Sequence, residues 1–233
     1  MDVNKHKFLM LQILKDIYTD KTLAPLLGFK GGTALMFLHN LPRFSVDLDF
    51  NLLDRSKERI VYEKVRSILL KYGKIDDKAM KFYGVIIVLD YGSGERKLKV
   101  EISNREYDNH YEMVTYLGIG MKVMVVEDMF AHKLCALLDR AEMTARDVFD
   151  CWFFLNLHCA INADIVESRM GMPLKNYIQK CIDKLASVNE RALISGLGEL
   201  TDGKMKAFVR TKLKLETIQL LLFFKEFPSV TQQ

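Results

Sequence analysis

The 233-residue sequence lacks long uninterrupted runs of apolar residues. Its apolar runs, such as Leu220–Phe224, are far below the ~20 residues that a membrane-spanning helix needs. No N-terminal segment joins a basic stretch to the apolar core of a secretion signal. These absences predict a protein that stays in the cytoplasm and does not enter a membrane.

Cysteine and histidine are scarce as well, and none is spaced as a zinc ligand. The four cysteines form no C-x-x-C pair, and the five histidines form no H-E-x-x-H array. The cysteines lie in apolar segments of helical pattern, which is typical of buried thiols. The sequence therefore argues against structural zinc. It also has no internal repeat or low-complexity tract.

The sequence does contain ample apolar material and a small excess of basic charge. Hydrophobic residues make up 49% of the chain, enough for a buried core in one large domain or two small ones. The net charge of +4 is compatible with a polyanionic partner but does not by itself indicate one.

A glycine pair at the start of a predicted helix forms the first candidate site. Residues 26–30 have the pattern of a short strand, and Gly31 and Gly32 allow a tight turn. A helix is predicted from Thr33. The free N–H groups in the first turn of a helix bind phosphate, and glycines let a phosphate approach closely. The Thr33 hydroxyl would add one donor.

Two carboxylates follow on the next predicted strand. Residues 46–50 alternate apolar and acidic side chains, so a strand here directs Asp47 and Asp49 to one face. Mg²⁺ takes oxygen ligands and usually lies between carboxylates and substrate phosphates. The glycine pair and the carboxylates together predict a nucleoside triphosphate site. Each alone has an ordinary alternative: a tight strand-to-helix turn, or an edge strand with solvated acids.

These residues form part of two motifs. The first consists of Gly31, Gly32, Thr33, Arg43, Ser45, Asp47 and Asp49. The second consists of Lys133, Arg140, Arg146, Asp147 and Asp150. In their residue types and order, the two motifs resemble those of the AbiEii/AbiGii toxin family, a branch of the DNA polymerase β-like nucleotidyltransferases that includes the MenT toxins.

The resemblance implies a fold and a division of the chain. The fold class is α+β, with a polymerase β-like nucleotidyltransferase core, a mixed sheet with flanking helices, followed by a C-terminal helical bundle. We expect residues 1–120 to form the core and residues 121–233 to form a helical domain that contributes the later motifs. The residue patterns add a β-hairpin over 83–103 and a loop over 107–120. Helical periodicity is predicted over 5–18, 57–72, 127–140, 144–155, 165–171, 174–187, 190–200 and 205–227.

The resemblance also assigns roles to individual residues. Mg²⁺, with Mn²⁺ as its substitute, is expected on Asp47, Asp49 and Glu101, the last being a third acid from a neighbouring strand. The expected catalytic residues are Asp47, Asp49, Glu101, Lys133 and Asp147. The expected nucleotide-binding residues are Gly31, Gly32, Thr33, Arg43, Ser45, Lys133, Arg140 and Arg146.

Residue pattern alone leaves alternatives open for several of these assignments. Glu101 would be a solvent-side strand residue among Lys97 and Lys99. Lys133 would pair with an acid at the start of its own helix, and Arg146 would form an i,i+4 salt bridge. The basic face of the last helix would either contact nucleic acid phosphates or simply be solvated.

Motifs and resemblance together predict a nucleotidyltransferase toxin. It would transfer a nucleoside monophosphate from an NTP to an acceptor hydroxyl, such as the 3′ end of a tRNA, and so block translation. Its expected partners are an NTP, an RNA acceptor and a cognate antitoxin protein. The alternatives are a phosphotransferase that moves the γ-phosphate, a nucleotide-sensing binding module without turnover, and an RNA-binding inhibitor acting through the basic C-terminal helix.

Overall fold

The structure of the protein, a computed structural model, describes residues 2–139, 143–189 and 203–231. The strands are β1 (Leu27–Lys30), β2 (Leu48–Leu52), β3 (Lys74–Lys81), β4 (Gly84–Asp90), β5 (Leu98–Ser103), β6 (Tyr111–Tyr116) and β7 (Ile119–Met124). The helices are α1 (Val3–Thr19), α2 (Gly31–Leu38), α3 (Glu58–Leu69), α4 (Val126–Asp139), α5 (Ala145–Asn156), α6 (Ala163–Met170), α7 (Leu174–Ser187), α8 (Gly203–Thr211) and α9 (Leu213–Glu226).

The strands form one mixed sheet in the order β3-β4-β5-β2-β1-β7-β6. β2 pairs with β5 and β1 pairs with β7 in parallel, whereas the other neighbours are antiparallel. The hairpin predicted over residues 83–103 is present as β4 and β5. The mixed sheet, its helices and the C-terminal helices confirm the predicted α+β class.

The chain divides into two compact units, of which the first comprises the residues up to Asn40 and Phe44–Met124. Helix α1 of this unit packs on α3 and β7. Its apolar side chains at helical spacing, among them Ile13 and Ile17, are fully buried. Asp2 begins the helix by accepting two backbone N–H groups of its first turn. The predicted division between residues 120 and 121 falls inside β7, whereas the units separate after this strand.

Two strands of this unit lie where the sequence analysis placed none. The segment 107–120, predicted as a loop, contains β6 and the start of β7. β6 is an edge strand, so most of its side chains stay partly exposed and its apolar signal is weak. β3, at the opposite edge, has the largely charged sequence KIDDKAMK and is mostly exposed.

The second unit comprises Leu41–Arg43 and the chain from Val125 onward, and it is a helical bundle. α5 packs against α4 and α9, and α7 also packs against α9. The ring of Phe130 on α4 stacks on Phe154 of α5 at 5.0 Å and contacts Phe224 of α9 at 5.7 Å between ring centroids. Three helices of this unit therefore share one aromatic core.

The C-terminal helical sequence is divided more finely than predicted. The single helix expected over 205–227 is two helices, α8 and α9, because Lys212 departs from helical angles with φ −130°. The helix expected over 190–200 lies outside the described residues. Among the described helices, none has both the length and the apolarity that a membrane crossing requires.

Candidate active site

The junction of β1 and α2 places a glycine against a carboxylate. α2 begins at Gly31, whose φ of +83° is a left-handed conformation. That conformation costs other L-residues roughly 1–2 kcal/mol. A Cβ atom at Gly31 would also lie 2.6 Å from Oδ2 of Asp49. Glycine is therefore required for two reasons, and the Asp49 carboxylate lies against the start of the helix.

Carboxylates from neighbouring strands lie side by side on the sheet. β2 and β5 run parallel with Asp49 directly opposite Glu101. Residues opposite each other in neighbouring strands share a face. Asp47 directly precedes β2, two residues before Asp49. The structure thus places Asp49 opposite Glu101 and against the predicted glycine junction, with Asp47 just before the same strand.

A lysine that the sequence analysis treated only as part of the charged surroundings lies among these acids. Nζ of Lys99 is 3.0 Å from Oε2 of Glu101 and 3.7 Å from Oδ2 of Asp47. Burial by itself would lower the pKa of Lys99, but the surrounding carboxylates outweigh burial and raise the pKa above its ordinary value. Lys99 therefore remains a cation within the acidic cluster.

The environment of Asp49 opposes ionisation of its carboxyl group. Burial raises the pKa of Asp49, and the carboxylates of Asp47 and Glu101 act in the same direction. Lys99 opposes this rise, and so does Lys30, which lies opposite Asp49 in the β1–β2 pair. Additional positive charge at this place would favour the ionised form of Asp49.

The acidic side chains differ in what their grouping and their chemistry offer to a divalent cation. Within residues 2–139, 143–189 and 203–231, no three His, Cys, Asp or Glu side chains are grouped so that they could hold a metal ion. The chemistry of the donor set fits Mg²⁺, because Asp47, Asp49 and Glu101 all offer carboxylate oxygens from adjacent strands. The ammonium of Lys99 supplies positive charge to the same carboxylates.

Two buried side chains hold the segment that leads to Asp47. The Thr33 hydroxyl donates to the backbone carbonyl of Asp47. Nε2 of His6 lies 2.9 Å from the carbonyl oxygen of Val46, and Nδ1 lies 2.6 Å from the Tyr91 hydroxyl. Burial lowers the pKa of His6, so a neutral ring donates to Val46 and accepts from Tyr91. The predicted phosphate donor Thr33 thus has its hydroxyl proton engaged within the protein.

In the second unit, Arg43 has a different partner from the one predicted. Its guanidinium binds both carboxylate oxygens of Asp150, with Nε–Oδ1 and Nη2–Oδ2 distances of 2.7 Å. Nζ of Lys133 is also 2.7 Å from Oδ2 of this fully buried aspartate. Burial opposes ionisation, but Arg43 and Lys133 together lower the pKa of Asp150 to about 2. Arg43 therefore forms part of a buried ion cluster with Asp150 and Lys133.

The other predicted residues of the second motif are positioned by the start of α5. Thr144 is the N-cap: its hydroxyl oxygen accepts the N–H of Asp147 and its proton goes to the Asp147 carboxylate at 2.6 Å. Asp147 is buried and Arg146, its neighbour, is half-buried. Lys133, for which an acid at the start of its own helix was considered, pairs with Asp150 instead. Asp150, the residue four positions after Arg146, is bound by Arg43 and Lys133. Arg140 lies outside the described residues.

Ser45 has a structural position, and the sequence prediction missed two further residues near the acidic side chains, Lys99 and His6. Ser45 is buried and its backbone N–H donates to the sulfur of Met36 at 3.4 Å. Lys99 could have been found from its spacing of two from Glu101, which gives both residues the same face. His6 carried no such signal, because its partner Val46 is 40 residues away.

Solved structures of other proteins share the fold of this chain. Solved structures with the same fold include JHP933 from Helicobacter pylori, with 25% identity, a TM-score of 0.60, and coverage of 97% of this chain and 94% of that chain. A candidate nucleotidyltransferase from H. pylori has 22% identity and a TM-score of 0.58, with 97% of each chain covered. These similarities show that the fold also occurs in other proteins.

A family model identifies the chain more closely. The chain belongs to the AbiEii family of nucleotidyl transferase toxins from type IV toxin–antitoxin systems, whose model matches residues 12–210. Membership of this family makes the protein a transferase and implies an antitoxin partner. No curated protein matches the sequence.

Proposed function

We propose that the protein transfers a nucleoside monophosphate from an NTP to an acceptor hydroxyl, with release of pyrophosphate. The observation that supports this most directly is the contact between the glycine junction and the carboxylates: a Cβ at Gly31 would lie 2.6 Å from Oδ2 of Asp49. A phosphate at the start of α2 would therefore lie beside Asp49, which in turn is opposite Glu101.

The acidic side chains would hold the cation that such a reaction requires. Asp47, Asp49 and Glu101 are the residues that would bind Mg²⁺ or Mn²⁺. When bound, the cation neutralises phosphate charge and orients the reacting oxygens. Lys99 and Lys30 keep positive charge close to Asp49. This charge would reduce the repulsion between the carboxylates and the anionic phosphates of a nucleotide.

The backbone, not the Thr33 side chain, would bind the phosphates. Gly31 and Gly32 open α2, and the N–H groups of a first helical turn have no partners within the helix. The Thr33 hydroxyl holds the Asp47 carbonyl in place. The roles of Lys133, Arg140, Arg146 and Asp147 in nucleotide binding stay predictions from the family resemblance.

We infer from the family that the acceptor is an RNA, such as the 3′ end of a tRNA, and that its modification blocks translation. The net charge of +4 is compatible with this acceptor. Neutralisation by a cognate antitoxin accords with the type IV toxin–antitoxin family.

The decisive test is a labelling experiment. Purified protein is incubated with each α-³²P-labelled NTP, Mg²⁺ and total RNA, and the products are separated on a gel. We expect label in RNA and release of pyrophosphate. A parallel reaction with γ-³²P label distinguishes a phosphotransferase, which would transfer that label instead. Tight nucleotide binding without any covalent label would overturn the proposed transfer.

Two variants connect the labelling to the site. Asp47→Ala with Asp49→Ala should lower the labelling rate about 10³-fold or more, because the loss of metal-mediated charge stabilisation is worth several kcal/mol. Asp76→Ala with Asp77→Ala removes the same charge from the exposed strand β3 and should leave the rate unchanged. Expression of both pairs in a host cell adds a readout of toxicity. Undiminished toxicity of the Asp47/Asp49 pair would favour inhibition by RNA binding alone.

A further inference from the structure

Lys99 occupies a position from which it interacts with the whole acidic cluster. Its ammonium donates to Glu101 on its own strand at 3.0 Å and lies 3.7 Å from Asp47 near the neighbouring strand. It is also the cation that acts most strongly on Asp49. One lysine thus interacts with all three carboxylates that would hold a divalent cation.

The strand register leaves Lys99 on this face. Asp49 is opposite Glu101 and Leu48 is opposite Val100, the first pair of this ladder. Asp47 directly precedes β2, and its Oδ2 lies 3.7 Å from Nζ of Lys99. Side chains two residues apart on a strand share a face. The Lys99 side chain remains about one-third exposed, at 36%, and its flexible stem leaves the ammonium able to turn toward solvent or toward a ligand.

We propose that Lys99 is an internal counter-cation of the active site, which a divalent cation displaces from the carboxylates and which then binds the triphosphate. This inference rests on the proposed function. A divalent cation on Asp47, Asp49 and Glu101 would lie within a few ångströms of the Lys99 ammonium, and the two positive charges repel. A triphosphate relieves this repulsion because its oxygens accept from the displaced ammonium. Lys99 therefore weakens binding of the cation alone and strengthens binding of the cation with its nucleotide.

The proposal predicts effects of opposite sign in one variant. Lys99→Met retains most of the side-chain volume and removes the charge. We expect it to bind Mn²⁺ in the absence of nucleotide about tenfold more tightly than the wild type, as measured by electron paramagnetic resonance of free Mn²⁺. We expect it to bind inorganic tripolyphosphate, titrated calorimetrically in excess Mg²⁺, severalfold more weakly. Lys99→Arg keeps the charge, and we expect its affinities for Mn²⁺ and for tripolyphosphate to stay close to those of the wild type.

Lys97, which directly precedes β5, provides a matched control. Its ammonium pairs with Asp76 at 2.7 Å, and Asp76 belongs to β3, not to the acidic cluster. Lys97→Met removes an equal charge two residues away and should change neither titration. A difference between the two Met variants therefore reports the local contacts of Lys99.

The outcomes separate this inference from the proposed function. Equal Mn²⁺ affinity in the wild type, Lys97→Met and Lys99→Met would show that Lys99 forms only a surface ion pair. If Asp49→Asn then abolished Mn²⁺ binding, the metal site itself would still be supported. Absence of Mn²⁺ binding in the wild type and in Lys99→Met alike would overturn the metal site and the role of Lys99 together. Weaker binding of both Mn²⁺ and tripolyphosphate by Lys99→Met would mean that Lys99 only supports the site structurally.

Discussion

At the scale of single residues, the start of α2 requires a residue without a Cβ atom at position 31. Gly31 combines a positive φ with an approach to Asp49 that leaves no room for a methyl group. The two requirements are separable, because Gly94 has a similar φ of +79° with nothing within 4 Å of the position of a Cβ. This pair of glycines allows backbone strain to be distinguished from damage to the site.

We predict that Gly31→Ala removes nucleotide binding and transfer activity, since the new methyl group would push the Asp49 carboxylate from its place. Gly94→Ala carries the same backbone cost of about 1–2 kcal/mol and should retain activity. Unfolding free energies from urea titration, measured beside the labelling rate, check both statements. Equal activity of the two variants would show that the approach of Gly31 to Asp49 has no part in the reaction.

At the scale of secondary-structure elements, the sequence predicted the features that are determined by residues close together in the chain. The glycine turn into α2 and the β4–β5 hairpin were both local patterns, and the structure contains them. The strand predicted over 46–50 begins at Leu48 instead, so Asp47 lies just before it. β3 and β6 were missed because edge strands need little apolar material and their pairing is decided by the rest of the sheet.

Pairings between distant residues account for what the sequence could not predict at the site. The parallel register of β2 and β5 joins residues about 50 positions apart and places Asp49 opposite Glu101, on the strand that carries Lys99. The ion pair of Arg43 with Asp150 spans 107 positions, so nothing near Asp150 in the sequence indicates it. The family resemblance indicated which residues belong to the motifs, but it did not indicate the residues that Lys99 and Arg43 contact.

The buried ion cluster at Asp150 links α4, α5 and the 41–43 segment within the second unit. We predict that Asp150→Asn destabilises the protein by about 3–5 kcal/mol, because Arg43 is left buried without its counter-charge. Asp183→Asn on α7 is the matched control, since Asp183 is exposed and accepts only from Gln179. We expect it to change stability by less than about 0.5 kcal/mol. Similar unfolding midpoints for the two variants in urea would contradict this account.

At the scale of the whole molecule, the same aspartate makes stability depend on acid. The pKa of Asp150 is about 2 in the folded protein against an ordinary value of 3.8. Between these pH values the unfolded chain binds more protons than the folded one, so stability falls as pH falls. The contribution of Asp150, about 2 kcal/mol, is complete above its ordinary pKa and is lost by about pH 2.

Trp152, the only tryptophan, reports this loss from within the same helix as Asp150. Its indole N–H donates to Glu216 on α9 and its ring contacts Phe208 on α8, so unfolding of the second unit should change its fluorescence. We predict that the urea unfolding free energy followed by this signal decreases more steeply between pH 4 and pH 2 in the wild type than in Asp150→Asn. Other carboxylates titrate in both proteins and cancel in the comparison, because only Asp150 differs. Parallel curves would mean that Arg43 and Lys133 do not lower the pKa of Asp150 below its ordinary value in the folded protein.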